Sequence, residues 1–249
     1  MSDLQTSAMN EEVTVKKLGF FQRVAGVVVS PGRVMEDLKA KPRLLFPLIL
    51  MAVVQLAVYL IRLPLWQDSL RKAIISASDF TESLTGIEMT PELIEQSLSQ
   101  SLVQSVIVTP LTALFGWLFI TVVLFVIVKI AGRPGKFKQY LSVAGYAYVI
   151  TALYLLIVLG VSYFTGSLHT EMPLTSIANV FGEEMQGSFV FGMLRGLDVF
   201  KIWYYAVIAI GLQTVSGLKK PTAYGIVAAI FIIGLLFAGA SEAAVGAYL

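Results

Sequence analysis

Arg195, Asp198 and Lys201 stand three residues apart where the chain enters an apolar run, "RGLDVFKIWYYAVIAIGL". On a helix turning 100° per residue, the three share a stripe of about 120°. One acid between two bases supports two kinds of work. Snorkelling anchors would fix the depth of a membrane span, or a polar clamp would tie one span to another. The clamp would include Arg62, at the same depth on the first span, with Trp203 beside the charges in an aromatic belt. Asp198 is the costly member, because a short carboxylate stem cannot snorkel as Lys and Arg do.

Catalytic chemistry is harder to find. The sequence contains no HExxH, GxSxG or GxxxxGK[ST] pattern and no cysteine. Glu183-Glu184 resembles the acidic pair of one intramembrane protease class, but position 188 is Ser where an Arg is needed. His169, the single histidine, sits in a polar loop and cannot build a multi-histidine metal site. The sequence therefore predicts a non-enzymatic protein with no catalytic residue, cofactor or metal.

The charges must be positioned by membrane helices. Hydrophobic residues make up 57% of the 249 residues and charged ones 14%, against about 45–50% and 25% in soluble domains. A formal net charge of +2 supplies no basic field for nucleic acid. Five stretches reach the roughly 17–25 residues of a span: 44–61, 105–128, 140–164, 199–218 and 221–240. Lipid offers the backbone no hydrogen bonds, so each must be a helix. The prediction is an all-α, polytopic membrane protein, with a 1–43 arm and a 44–249 membrane domain.

Basic residues set the orientation. Thirteen of the 18 Lys and Arg residues lie before span one, between spans two and three, and between spans four and five. The other connections hold five and most of the acids. The predicted amino terminus is cytoplasmic, with no cleavable signal in residues 1–15, and the carboxyl terminus lies outside.

In the arm, "KLGFFQRVAGVVV" has apolar residues at helical spacing with aromatic and basic flanks, Phe20, Phe21 and Arg23 among them. It reads either as an amphipathic helix in the headgroup layer or as a helix packed on the spans. Ser30-Pro31 begins a second helix that ends before Pro42. In the first outer connection, 63–104, "TPELIEQSLSQSLVQS" starts a helix at Thr90-Pro91 that runs on into span two, with a bend expected at Pro110. The second, around 165–188, reads as an ordered loop or short interfacial helix. Span interiors offer Gln55, Thr112, Thr121, Tyr148, Thr151 and Tyr154 but no acid, which disfavours ion-coupled transport. Small residues such as Gly145, Gly211 and Gly239 predict close helix packing.

"LDVFKIWYYAVIAIGL", "VVSPGRVMEDLKAKPRLLFPLI" and "GRPGKFKQYLSVAGYAYVI" together resemble the bacterial branch of the Yip family, over roughly residues 18–240. The family takes its name from eukaryotic relatives that interact with Ypt/Rab GTPases. Gly145-Tyr146 matches its Gly-Tyr in span three, but the arm has Ser30-Pro31-Gly32 in place of the eukaryotic Tyr-Gly-Pro, so GTPase binding is not carried over. The resemblance implies a multi-pass protein of a bacterial cytoplasmic membrane that scaffolds or assists a membrane complex, with lipids and a protein partner such as an ABC-type exporter. A small permease or channel, marked by a polar path, is the first alternative. A lipid-handling or membrane-shaping protein, marked by a lateral opening, is the second.

The orientation is directly testable. A reporter active only in the cytoplasm should work when fused at Gly135 and fail after Leu249; the opposite pattern reverses the sidedness.

Overall fold

Residues 18–86, 89–169, 173–181 and 183–247 are described by the computed structural model, and the reading of residues 1–15 lies outside them. Among the described residues the chain is helical: α1 (Phe20–Val29), α2 (Pro31–Ala40), α3 (Leu45–Ile61), α4 (Leu63–Thr85), α5 (Pro91–Ile130), α6 (Phe137–Thr165), α7 (Phe189–Gly196), α8 (Val199–Ser216) and α9 (Lys220–Gly246). Short 3-10 turns occupy Ile177–Val180 and Glu183–Met185. Helices α5, α6, α8 and α9 are each long and apolar enough to cross a membrane, and α3 with α4 makes a fifth if that bent pair is one span.

The centre of the bundle is α6 against α8. Residues 140–150 of α6 are buried almost without interruption, except Leu141. Two glycines allow this. A Cβ at Gly211 of α8 would collide with Val143 of α6, and one at Gly145 would lie 2.6 Å from Pro47 Cβ of α3. Close backbone approach is the recurrent use of small residues between membrane helices. Trp117 of α5 locks the third side by donating its indole N–H to the Leu141 carbonyl at 2.8 Å.

The arm packs on this centre. Val27, Val34, Met35 and Leu38 join Tyr140, Ile208 and Leu212 in one buried cluster. Of the two readings of the arm, packing on the spans is the one its apolar face adopts. Arg23 is turned inward, where its Nε lies 2.9 Å from Asp37 Oδ2. The same guanidinium donates to the Leu18 carbonyl at 2.5 Å. Arg23 therefore joins α1 to α2 and is no part of an outward basic flank. Phe20 packs edge-on against Phe46 at 4.9 Å, whereas Phe21 is 83% exposed.

The connection after α3 holds more structure than its sequence suggested. Pro64 cannot continue the hydrogen-bond ladder of α3, and α4 leaves at 68°. It runs to Gly86, whose φ of 70° closes it in the left-handed region. The periodic signal was masked by Asp68, Arg71, Lys72, Asp79 and Glu82, which face solvent. Thr90 caps α5 as expected, accepting from the Leu93 N–H at 3.4 Å. The 40-residue helix then continues past Pro110 without ending there. At 1.5 Å per residue it is about 60 Å long, twice the roughly 30 Å hydrocarbon core.

The buried Arg23–Asp37 pair sets a stability test. Asp37→Ala should strand a guanidinium at a site where both side chains are 7% exposed, costing about 3–5 kcal/mol. Arg23→Met with Asp37→Leu should recover most of that loss in a detergent melt. A melt of Asp37→Ala like wild type would show the pair to be solvated.

Candidate functional site

The opening charges belong to two helices. Ser188 accepts from the Phe191 N–H at 3.1 Å and starts α7, which ends at Gly196. Asp198 follows in extended geometry, φ −117° and ψ 139°, as the N-cap of α8. Arg195, Asp198 and Lys201 therefore do not share one continuous helix face, which corrects the sequence reading. The physical reason is the cap. A carboxylate is a strong N-cap, and its Oδ1 accepts from the Lys201 backbone N–H at 3.0 Å.

Asp198, Arg195 and Arg62 then take separate partners. Asp198 Oδ2 accepts from the Thr175 hydroxyl. Arg195 donates to Glu242 of α9 at 3.1 Å. Arg62, at the α3–α4 bend, is buried and donates to the Leu168 carbonyl. Trp203 packs near Phe200, with ring centroids 6.1 Å apart. Glu242 and Thr175 were missed in the sequence. Nothing local marks them, since their contacts span 47 and 23 residues.

The predicted clamp residues do not meet directly. Residues 166–169 pack at the α3 end and residues 173–181 at the start of α8, and the two described pieces are together termed the strap. It is held by Arg62 at Leu168, by the Ile177 N–H on the Leu197 carbonyl at 3.0 Å, and by the Ser176 hydroxyl on the Leu194 carbonyl at 3.0 Å. The Leu174 N–H reaches the Tyr154 hydroxyl of α6 at 3.2 Å. Asp198 makes no ion pair with Arg62 or Lys201 within 4.0 Å among the described residues.

Gly145 and Tyr146 lie at the opposite end of the bundle. Tyr146 is buried, with its ring 5.3 Å from Phe46. Both are packing residues at the α3–α6 contact.

Two cavities share part of their lining. The smaller, about 350 Å³, is lined by Tyr154, Pro173, Asp198 and Lys201. The larger, about 820 Å³, lies between α5 and α9 on a floor of α6 and α8. Thr151, Tyr204 and Tyr205 line both. The larger gathers Gln55, Thr112 and Tyr148 among mostly apolar side chains, with Gln55 donating to the Tyr148 hydroxyl at 3.0 Å. Among the described residues, no cluster of three or more His, Cys, Asp or Glu could hold a metal.

An all-helical bundle with four or five helices long and apolar enough to cross a bilayer is a multi-pass membrane protein. A family model for the Yip1 domain matches residues 25–241, and the chain belongs to that family. The chain is 25% identical over 211 residues to the membrane protein YknW of Bacillus subtilis (strain 168), covering 85% of each chain. No solved structure matches it.

Asp198 can be tested as a cap rather than a charge partner. Asp198→Ala removes the cap and leaves the Thr175 hydroxyl unpaired, a loss of about 2 kcal/mol. Asp198→Asn, which still caps, should lose under about 1 kcal/mol. Arg62→Gln should add to Asp198→Ala rather than compensate it. Recovery in that double variant would restore the direct ion pair.

Proposed function

We propose that this protein is a non-enzymatic membrane scaffold or accessory subunit, and that the α4–α5 hairpin is the element that docks a partner complex. The observation that carries this reading is exposed apolar surface on the hairpin, which in this reading stands clear of the lipid. Helix α5 overshoots the bilayer core, and α4 runs beside the overhang, joined by the Arg71–Glu95 ion pair. On that overhang Phe80 is 66% exposed and Leu84, one turn on, is 70% exposed. Ile75 and Leu93 are exposed as well. Exposed apolar patches rimmed by charges mark contact sites in soluble surroundings, and hairpin charges such as Asp79 and Glu82 provide that rim.

The partner class comes from the family resemblance, which points to an ABC-type exporter of a bacterial cytoplasmic membrane. At the other end, exposed Phe21 and Val29 support contact of α1 with the headgroup layer, alongside its buried face. The permease alternative gains less support, because the larger cavity is mostly apolar rather than a polar path.

A photo-crosslinking residue placed at Phe80 or Leu84 in the native membrane should capture exporter subunits. Phe80→Asp with Leu84→Asp should abolish their co-purification while leaving the melting temperature unchanged. Recovery of the same subunits with the folded double variant would overturn the hairpin as docking element.

A further inference from the structure

The two adjoining cavities have a shape and a chemistry that packing alone does not explain. The larger is a cleft open to the side. Phe119 of α5 and Phe237 of α9 line it and are 70% and 72% exposed, so its mouth faces the bilayer. At about 820 Å³ it falls within the roughly 300–1,000 Å³ of small-molecule sites. The smaller cavity adjoins it at the end of the bundle where α8 begins, the depth expected of a lipid headgroup.

Polar groups lie where the two cavities meet. Thr151, Tyr204 and Tyr205 line both. None of their hydroxyls makes a hydrogen bond within the described protein, and all three residues are half-buried. Tyr148 and Tyr154, close by, do have partners, Gln55 and the Leu174 N–H. The three remaining hydroxyls are donors without acceptors, on residues that line the space.

The charges at the headgroup end are unequally satisfied. Arg195 is paired with Glu242, and both oxygens of Asp198 already accept, from the Thr175 hydroxyl and the Lys201 N–H. Lys201 lines the smaller cavity, and its ammonium has no ion-pair partner within 4.0 Å among the described residues. The group available to a ligand there is a cation.

We propose that this cleft seats one acyl chain of an anionic phospholipid from the surrounding bilayer, with its phosphate at Lys201 and its ester oxygens accepting from Thr151, Tyr204 and Tyr205. An apolar trough opening on lipid, unspent hydroxyl donors at its inner edge and a cation beyond them follow the order of groups along such a molecule. A water-soluble anion would have no use for the trough, and an uncharged lipid none for Lys201. The site is independent of the hairpin's partner, so either assignment can fail without the other.

Two glycines make the test clean. Gly116 and Gly234 line the cleft, and a Cβ at either would meet nothing within 4 Å. Leucine at these positions fills the cleft without forcing the helices apart, and it is a better helix former than glycine. Native mass spectrometry of the full chain in mild detergent would measure binding of phosphatidylglycerol and phosphatidylcholine with identical acyl chains. Wild type should hold one phosphatidylglycerol at least about tenfold more tightly than phosphatidylcholine. Lys201→Gln should abolish that preference, and Gly234→Leu should remove binding of both lipids at an unchanged melting temperature.

If Gly234→Leu fails to fold, Gly116→Leu and the hydroxyl-free triple variant Thr151→Val, Tyr204→Phe, Tyr205→Phe carry the same test. Equal affinity of wild type for the two lipids would overturn the preference for an anionic headgroup, and an unchanged affinity of Lys201→Gln for phosphatidylglycerol would overturn the phosphate contact. A ladder of adducts indifferent to these substitutions, or no retained lipid at all, would overturn the site.

Discussion

Everything in this bundle depends on how closely α8 can approach α6. Gly211 sets that distance, since any side chain there would strike Val143. With α6 and α8 fixed as the central pair, α3 and α5 must pack on the free flank of α6, and α9 on α8. Helices α5 and α9 are thereby left on opposite flanks of the centre. The cleft between them is a consequence of that arrangement, floored by the side chains α6 and α8 present there, Tyr148, Thr151, Tyr204 and Tyr205. A bulkier residue at position 211 would disturb the arm as well, because Met35 of α2 packs against the same glycine.

The two ends of the bundle use polar groups in opposite ways. At the arm end, Arg23 and Asp37 are sealed under α1 and α2, and Ser142 exchanges hydrogen bonds with the Arg43 backbone at 3.0 Å. Buried pairs of this kind fix how elements sit together more than they add net stability. At the strap end, the polar groups are spent mainly on backbone. Arg62, Ser176 and Asn179 all reach carbonyls, and Asp198 closes the first turn of α8. Non-helical backbone at the edge of a membrane must be satisfied by the protein itself, and the strap meets that demand with side chains. Lys201 is left over from this arrangement, next to a cavity.

These features suit an organising role. The hairpin presents exposed apolar side chains at Phe80 and Leu84, the surface on which that proposal rests. A cleft open to the bilayer would let such a protein respond to its lipid surroundings while its hairpin engages another protein.

The sequence by itself determined the class, the spans and the membership. Long apolar runs in lipid have no alternative to helix, so four spans matched with small shifts at their ends, and Thr90 and the helix start at Pro31 were legible from local capping chemistry. The bent α3–α4 pair was not, because α4 is amphipathic and charged, and its helical period is diluted by solvent-facing residues. The charge spacing at 195, 198 and 201 misled for a related reason. Periodicity assumes an unbroken helix, and it cannot reveal that a carboxylate will stop one helix and cap the next. Partners such as Glu242, Thr175 and Leu168 lie 23 to 106 residues from the groups they satisfy. Only the tertiary structure could choose them, because a hydrogen bond depends on where the packed helices bring the chain, and that depends on close contacts such as Gly211 on Val143.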